Sequence, residues 1–326
     1  MAAEIPWIAE YQALSSGVGV SNLTGRGRIA IRGNDRVHFL HSFCTNDIQR
    51  LSPGMGCEAF VTNHQGKTVG HVYVFCTEDA LLLDTAPSQA ASLISHFDRF
   101  VISDDVTFED VSGATGHWLL AGPHSRYLLA GPIGDELPSQ PWDHRPGRLR
   151  GIGVQVISAD FLLPESFFLV TAAGEFEEVR QTLDDAGARL CGSEAMEAVR
   201  IESGTPLFGS DITADNLPQE IGRDAQAISF TKGCYLGQET VARIDAMGHV
   251  NRLLAGVRFL DSPAVPPFGT ELKSGDKVVG QVTSAAWSPR LSQPLGFALV
   301  RRPQAAAGTR LESACGAAEV VRLPLA

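Results

Sequence analysis

Between Arg200 and Arg243 the chain reads RIESGTPLFGSDITADNLPQEIGRDAQAISFTKGCYLGQETVAR, dense in Gly, Pro and acids and without the period of a helix or a strand. A long irregular stretch inside a compact protein is as a rule either functional or disordered. The interspersed Ile201, Leu207, Phe208, Ile212, Leu217, Ile221, Ile228 and Phe230 argue against disorder. Such a segment has to pack against bodies built elsewhere, and periodicity locates those bodies on both sides of it.

Upstream, the alternation from Gly27 to Arg32 suits a half-buried strand, Gly33 turns the chain, and Asn34-Asp35 can cap a helix over Arg36 to Phe43. Ala59 to Thr62, the apolar run Val69 to Phe75 and Ala80 to Asp84 read as sequential antiparallel strands. Ser88 to Arg99 then has helical spacing, with Ala91, Ile94, Phe97 and Phe100 on one side. A similar unit follows: strand His117 to Ala121, helix His124 to Ala130, strand Phe167 to Thr171, helix Glu175 to Ala186. Gly131 to Gly153, rich in Pro and Gly, reads as a long surface loop. Beyond Asp245 the texture changes to short strands, Leu253 to Leu260, Glu271 to Ser274, Lys277 to Thr283 and Pro294 to Val300, as in a small β-barrel or sandwich. The fold class is therefore α+β on antiparallel sheets with a β domain behind it. At 326 residues the chain exceeds the roughly 250 to 300 that one core can serve, so two or three domains are expected.

Lys and Arg number 26 against 37 Asp and Glu, a formal charge of -11, so no broad face attracts a phosphate backbone and nucleic acid is not a general partner. A local basic patch can still hold a small anion. The N-terminal MAAEIPWIAEYQAL lacks the pattern of a signal peptide, and no apolar run approaches the ~18 residues of a membrane span. The expectation is a soluble protein that stays in the cytoplasm. Six cysteines without a Cys-x-x-Cys pair fit neither a disulfide framework nor a permanent cluster or zinc site, which suits a reducing compartment.

Cys234 follows Lys232 by two residues and precedes a helix expected over Leu236 to Ile244. A thiol near a helix N-terminus and an ammonium favours its thiolate, which makes Cys234 the candidate reactive sulfur; the alternative is a small buried hydrophobe. Gly233 and Gly237 allow close backbone approach to a ligand, or are simply turns. Glu220, after Pro218-Gln219, can accept a bidentate hydrogen bond from an aminopyrimidine edge, or is a solvated turn residue. Asn46-Asp47 can orient a ligand, or form an Asx turn. His71 reads as a packed or surface side chain, and His38 with His41 lack a third ligand, so no metal site is expected.

The run Lys232-Gly-Cys-Tyr-Leu-Gly-Gln-Glu239 resembles the K-G-C-[FY]-x-G-Q-E signature of the YgfZ family, and Arg200 to Asp211, Leu217 to Glu220 and Val279 to Ser284 resemble segments of the wider superfamily that includes the glycine-cleavage T-protein, aminomethyltransferase. The resemblance implies a three-lobed ring around a central channel. Its lobes would be a discontinuous first domain, residues 1–50 with 113–245, a ferredoxin-like lobe, 51–112, and a C-terminal β-barrel, 246–326. In the T-protein the channel holds tetrahydrofolate. Carried over, Cys234 and Lys232 are the catalytic candidates at the channel mouth, and Glu220, facing the pterin, joins Tyr235, Gln238, Glu239, Asn46 and Asp47 in binding non-covalent tetrahydrofolate.

One departure separates the branches. Aminomethyltransferases carry an Asp in a strand whose counterpart here, Gly66 to His71, has no acid, so the usual carboxyl acid/base is missing. The expected function is a tetrahydrofolate-binding accessory protein for the assembly, maintenance or repair of iron-sulfur proteins. Its partners would be folate and client iron-sulfur enzymes or assembly proteins, with no membrane contact. The alternatives are a folate-dependent one-carbon transferase or demethylase, and a binding scaffold in which Cys234 is structural.

Overall fold

The computed structural model describes residues 5–134, 136–260 and 262–325; Met1 to Glu4 and Ala326, the outer ends of the expected domains, lie outside them. Two antiparallel sheets stand face to face. One has the strand order Gly56–Thr62, Thr68–Cys76, Leu81–Thr85, Gly27–Arg32, Thr107–Asp110. The other runs Arg189–Leu190, Gly19–Asn22, Thr115–Ala121, Ser166–Ala172, Ile152–Ala159, His144–Leu149, with one parallel pair at Gly19–Asn22.

The alternation of side chains along each strand assigns each face its core. In Thr68–Cys76, Val72 and Val74 join Ile29, Ile31, Phe39 and Phe97 under the helices Arg36–His41 and Ala90–Asp98. Tyr73 and Phe75, on the opposite face, meet Leu119 and Phe168 of the second sheet. Trp118, Leu120, Phe167 and Leu169 face outward from that sheet, under the helices Ser125–Ile133 and Phe176–Asp185. The order is helix, sheet, sheet, helix, as an α+β body requires once each sheet has two apolar faces to cover.

The strands Arg252–Phe259, Gln293–Arg301, Lys277–Ser288, Glu271–Ser274, Arg310–Ser313 and Gly316–Val321 close into a barrel around Val257, Phe259, Leu272 and Val300. Arg200, wholly buried on the helix Ser193–Glu202, fastens barrel to body. It ion-pairs with Asp211 (2.8 Å) and Glu197 (2.5 Å) and donates to Ser284 Oγ (3.0 Å) of the barrel. Asp211 in turn accepts from Thr283 and Ser284, and Glu202 from Tyr11 and Ser288.

Four expectations change. Gly131 to Gly153 is not one loop: the helix runs on to Ile133, and His144–Leu149 pairs with Ile152–Ala159. His144–Leu149 lies at the sheet edge, where Pro146 costs no ladder bond. Gly27–Arg32, expected in the first domain, lies inside the sheet formed with 56–110, bonded to Leu81–Thr85 and Thr107–Asp110. The helix after Ser88 buries Ala90, Leu93 and Phe97, and ends before the exposed Phe100. Asp35 is the N-cap residue without a capping side chain; Asn34 and Asp35 instead bind Asp105. Among the described residues no helix is long and apolar enough to cross a membrane, and no group of three or more His, Cys, Asp or Glu side chains is placed to hold a metal ion.

Candidate functional site

The irregular segment has its own core, in which Ile212, Ile221, Ala227, Ile228, Tyr235 and Val241 close over Phe60 of the first sheet. Backbone and side-chain bonds stitch it to the neighbouring loop: Ser229 N to Thr45 O, Thr45 Oγ1 to Ala227 O, Leu236 N to Ser42 O, Thr62 Oγ1 to Leu236 O. Its order is set by contacts of high sequence separation, which explains why no periodicity shows it.

Within it Lys232 is buried, and Nζ donates to the carbonyls of His41 (2.6 Å), Cys44 (2.6 Å) and Asn46 (3.0 Å), 4.8 Å from the centre of the Tyr235 ring. An ammonium has three donors, so none remains to hydrogen-bond the Cys234 sulfur. Burial, against the opposing pull of Cys44, Asp47 and Cys57, holds the Lys232 pKa down to about 8. The following helix begins at Gln238, with Gly237 as N-cap in the left-handed region at φ 83°. Cys234 thus stands three residues before the N-cap Gly237, outside the helix itself. It is exposed, whereas Cys44, Cys76 and Cys191 are buried and Cys57 and Cys315 half-buried. Burial drives the Cys44 and Cys191 thiols up to about 12.

Tyr235 is buried in the segment core, and its hydroxyl is pushed up by burial. Asn46 Nδ2 donates to Glu58 O (2.8 Å) and Gln226 O (2.9 Å), while Asp47 lies 2.9 Å from Arg50 and 3.4 Å from His41. Gln238 is half-buried and Glu239 exposed on the helix. Glu220 is buried on the barrel side: its carboxylate accepts from Asn216 (3.0 Å), the Leu217 N–H (3.2 Å) and Arg252 (3.2 and 3.3 Å). Lys232, Tyr235, Asn46 and Asp47 are thus brought together around the loop that carries Cys234, and Glu220 is kept apart from them, facing a guanidinium and not an open hole.

The concave surface lies one hydrogen bond away. A cavity of about 440 Å³ opens where the second sheet, the irregular segment and the barrel meet, lined by Asp160, Phe161, Arg223, Gln226, Leu254 and Phe297 among others, with Arg322 at its exposed rim. The carbonyl of Gln226 accepts from Asn46, whose own carbonyl accepts from Lys232, so cavity and thiol loop are ends of one bonded chain. Sequence reasoning missed Arg223 and its anchor. Glu58, fully buried in the strand Gly56–Thr62, takes Arg223 through Nε and Nη2, both at 2.5 Å. Burial would raise the Glu58 carboxyl, but Arg223 and His71 override it and hold it at about 2. Being ionised, Glu58 accepts from His71 Nε2 at 2.8 Å. His71 is therefore a buried second anchor. Arg223 Nη2 also reaches Asp160 Oδ2, at 3.4 Å. The available signal was an acid set between apolar neighbours in Cys57-Glu-Ala-Phe-Val61.

The profile of the GCVT N-terminal domain matches residues 3–232, and that of the glycine cleavage T-protein C-terminal barrel domain matches 252–325. An Arabidopsis thaliana protein named "Putative transferase, chloroplastic" is 29% identical over 298 residues, 91% of this chain and 68% of its own. An aminomethyltransferase of Caldanaerobacter subterraneus is 24% identical over 315 residues, 94% of this chain and 83% of its own. The crystal structure of the glycine cleavage system aminomethyltransferase T from Bartonella henselae superimposes with a TM-score of 0.81 at 18% identity, covering 98% of this chain and 89% of that one; the likeness is one of fold.

Proposed function

We propose, from the premise that this chain belongs to the glycine-cleavage T-protein family defined by the GCVT N-terminal domain and its C-terminal barrel, that it binds tetrahydrofolate without covalent attachment and serves iron-sulfur proteins through Cys234. The observation that carries the reading is the exposure of Cys234 on a loop whose neighbours Lys232, Tyr235 and Gly237 are fixed. A lone, positioned thiol can ligate or relay briefly but cannot store a cluster.

The cavity residues fit a folate. Phe161, Leu254 and Phe297 offer apolar faces to a flat pterin, the Asp160 carboxylate can accept from an aminopyrimidine edge, and Arg322 suits the glutamate carboxylates. Arg223, held by Glu58, supplies fixed positive charge beside Asp160.

Calorimetric titration with tetrahydrofolate, together with the activity of iron-sulfur enzymes in cells carrying each variant, tests both halves. Arg322→Gln is expected to lower folate affinity by roughly tenfold, the loss of one charge-assisted bond to the glutamate carboxylates. Cys234→Ala should leave affinity within about twofold, well under 1 kcal/mol, while depressing the cluster enzymes. Normal cluster enzymes in the Cys234→Ala strain would remove the iron-sulfur role, and failure of the wild-type chain to bind tetrahydrofolate would remove the folate site.

A second reading, a folate-dependent one-carbon transferase acting on a small amine, has one observation in its favour: Asp160 puts a partly exposed carboxylate in the cavity. His71 does not serve that reading, being buried against Glu58. Formation of methylene-tetrahydrofolate from methylated amines, abolished by Asp160→Asn, would establish it.

A further inference from the structure

A separate cleft opens between the two sheets, of about 1360 Å³, sharing no residue with the folate cavity. Its apolar walls include Leu82, Val111, Ile133, Val154 and Val170. Its charged lining is three arginines, Arg28, Arg145 and Arg148, against one acid, Glu78. That balance opposes a chain of net charge -11.

Arg28 is the unusual member. It belongs to the strand Gly27–Arg32, on the face opposite Ile29 and Ile31, and is only 3% exposed. Its Nε is buried without a hydrogen-bond partner. The cross-strand residue opposite it is Asp84, the natural counter-ion. Asp84 bonds Arg26 Nε through Oδ1 at 2.5 Å, while its Oδ2, 3.2 Å from His117 Nδ1, makes no hydrogen bond among the described residues; the carboxylate attracts Arg28 across the strands without an ion-pair contact to it. Burial, then Arg26, press on the Arg28 charge while Asp84 partly offsets them, yet a guanidinium does not give up its proton. A buried cation without a bonded partner is costly, and this one lines an open cleft with apolar walls.

We propose that the cleft between the sheets binds an amphipathic organic anion, a carboxylate, sulfonate or phosphate ester with an apolar body, whose head meets the Arg28 guanidinium and whose body lies along Leu82 and Val170. Arg145, paired with Glu136 at 3.2 Å, and Arg148, which donates to Gly151 O, stand nearer solvent and supply attraction more than fixed contacts.

The test uses the full chain and the fluorescent sulfonate anilinonaphthalene sulfonate. The wild type should bind it saturably, with octanoate displacing it and octanol, of equal chain length and no charge, failing to. Arg28→Gln should weaken binding by roughly tenfold, as expected for one lost charge-assisted hydrogen bond. Gly153→Glu gives an independent arm: a Cβ there meets nothing within 4 Å and its φ is ordinary, so the fold tolerates a carboxylate on the cleft rim, which should also weaken the dye. If Arg28→Gln loses its cooperative melt, Gly153→Glu decides alone. The proposal is overturned if the wild type does not bind the dye, if both variants bind it as the wild type does, or if octanol competes as well as octanoate.

Discussion

Replacing Glu58 by Gln keeps the shape of the side chain and removes the charge that anchors Arg223 and receives His71. Glu58 is wholly buried and its carboxyl is held at about 2 against an ordinary 4.5. A fall of that size, at about 1.4 kcal/mol per pH unit, is worth about 3 kcal/mol, which agrees with the ~3 to 5 kcal/mol that breaking a buried pair costs. Because the folded pKa lies below the unfolded one, this stability is present in full above about pH 4.5 and is lost as the pH falls toward 2. Urea unfolding of wild type and Glu58→Gln at neutral pH should differ by about 3 kcal/mol, and the difference should shrink steadily on acidification below 4.5. Other buried carboxylates, Asp84 among them, titrate in the same range, but they are common to both proteins and drop out of the difference. Tetrahydrofolate affinity should fall as well, because Arg223 loses its fixed position. Equal stability at neutral pH, or a gap independent of pH, would refute the buried anchor.

Gly237→Ala forces a side chain into the left-handed region with its Cβ 2.3 Å from Asn63 O, and thermal or urea unfolding should show a loss of about 2 to 4 kcal/mol. Gly233→Ala, whose nearest neighbour would be His41 Nε2 at 3.7 Å, should stay within about 0.5 kcal/mol. Arg200→Met leaves Asp211 buried without its cation and should cost about 3 to 5 kcal/mol; limited proteolysis should then cut faster between body and barrel. Brief alkylation of the native protein at neutral pH, followed by peptide mass mapping, should mark Cys234 before Cys44, Cys57 or Cys191.

Several strands of the body were legible, Gly27–Arg32 by its alternation and those from Gly56 to Thr85 by their apolar runs, whereas the helices Ile8–Ser16 and Ser193–Glu202 and the strands Gly19–Asn22 and Ile152–Ala159 were not. Sheet membership was not legible. Nothing in Gly27–Arg32 itself says that its neighbours are Leu81–Thr85 and Thr107–Asp110, and Thr107–Asp110 is too short and too exposed to announce itself. The same limit governed the site. The run Lys232 to Glu239 marked the loop, but Lys232 turned out to bind carbonyls of residues 41–46, Glu220 a barrel arginine, and the charged centre of the cavity came from Glu58 and Arg223, far apart in the chain. Each of these is a long-range pairing that composition cannot reveal.

That division of labour leads to a prediction about how Cys234 is made useful. Ordering a loop costs about 1 to 2 kcal/mol per residue in backbone entropy, and here Lys232, Tyr235 and the left-handed Gly237 hold the loop while Cys234 stays in solvent. Cys44, by contrast, is stranded near 12 by burial. Exposure and fixed position, then, distinguish Cys234, and the Lys232 bonds to three carbonyls hold the loop that carries it. Lys232→Met removes the ammonium that bonds the carbonyls of His41, Cys44 and Asn46. The three abandoned carbonyls should loosen the loop, so that amide exchange at residues 41–46 and 233–237 speeds up. Exchange at those residues unchanged from the wild type would refute the anchoring role drawn from the Lys232 hydrogen bonds.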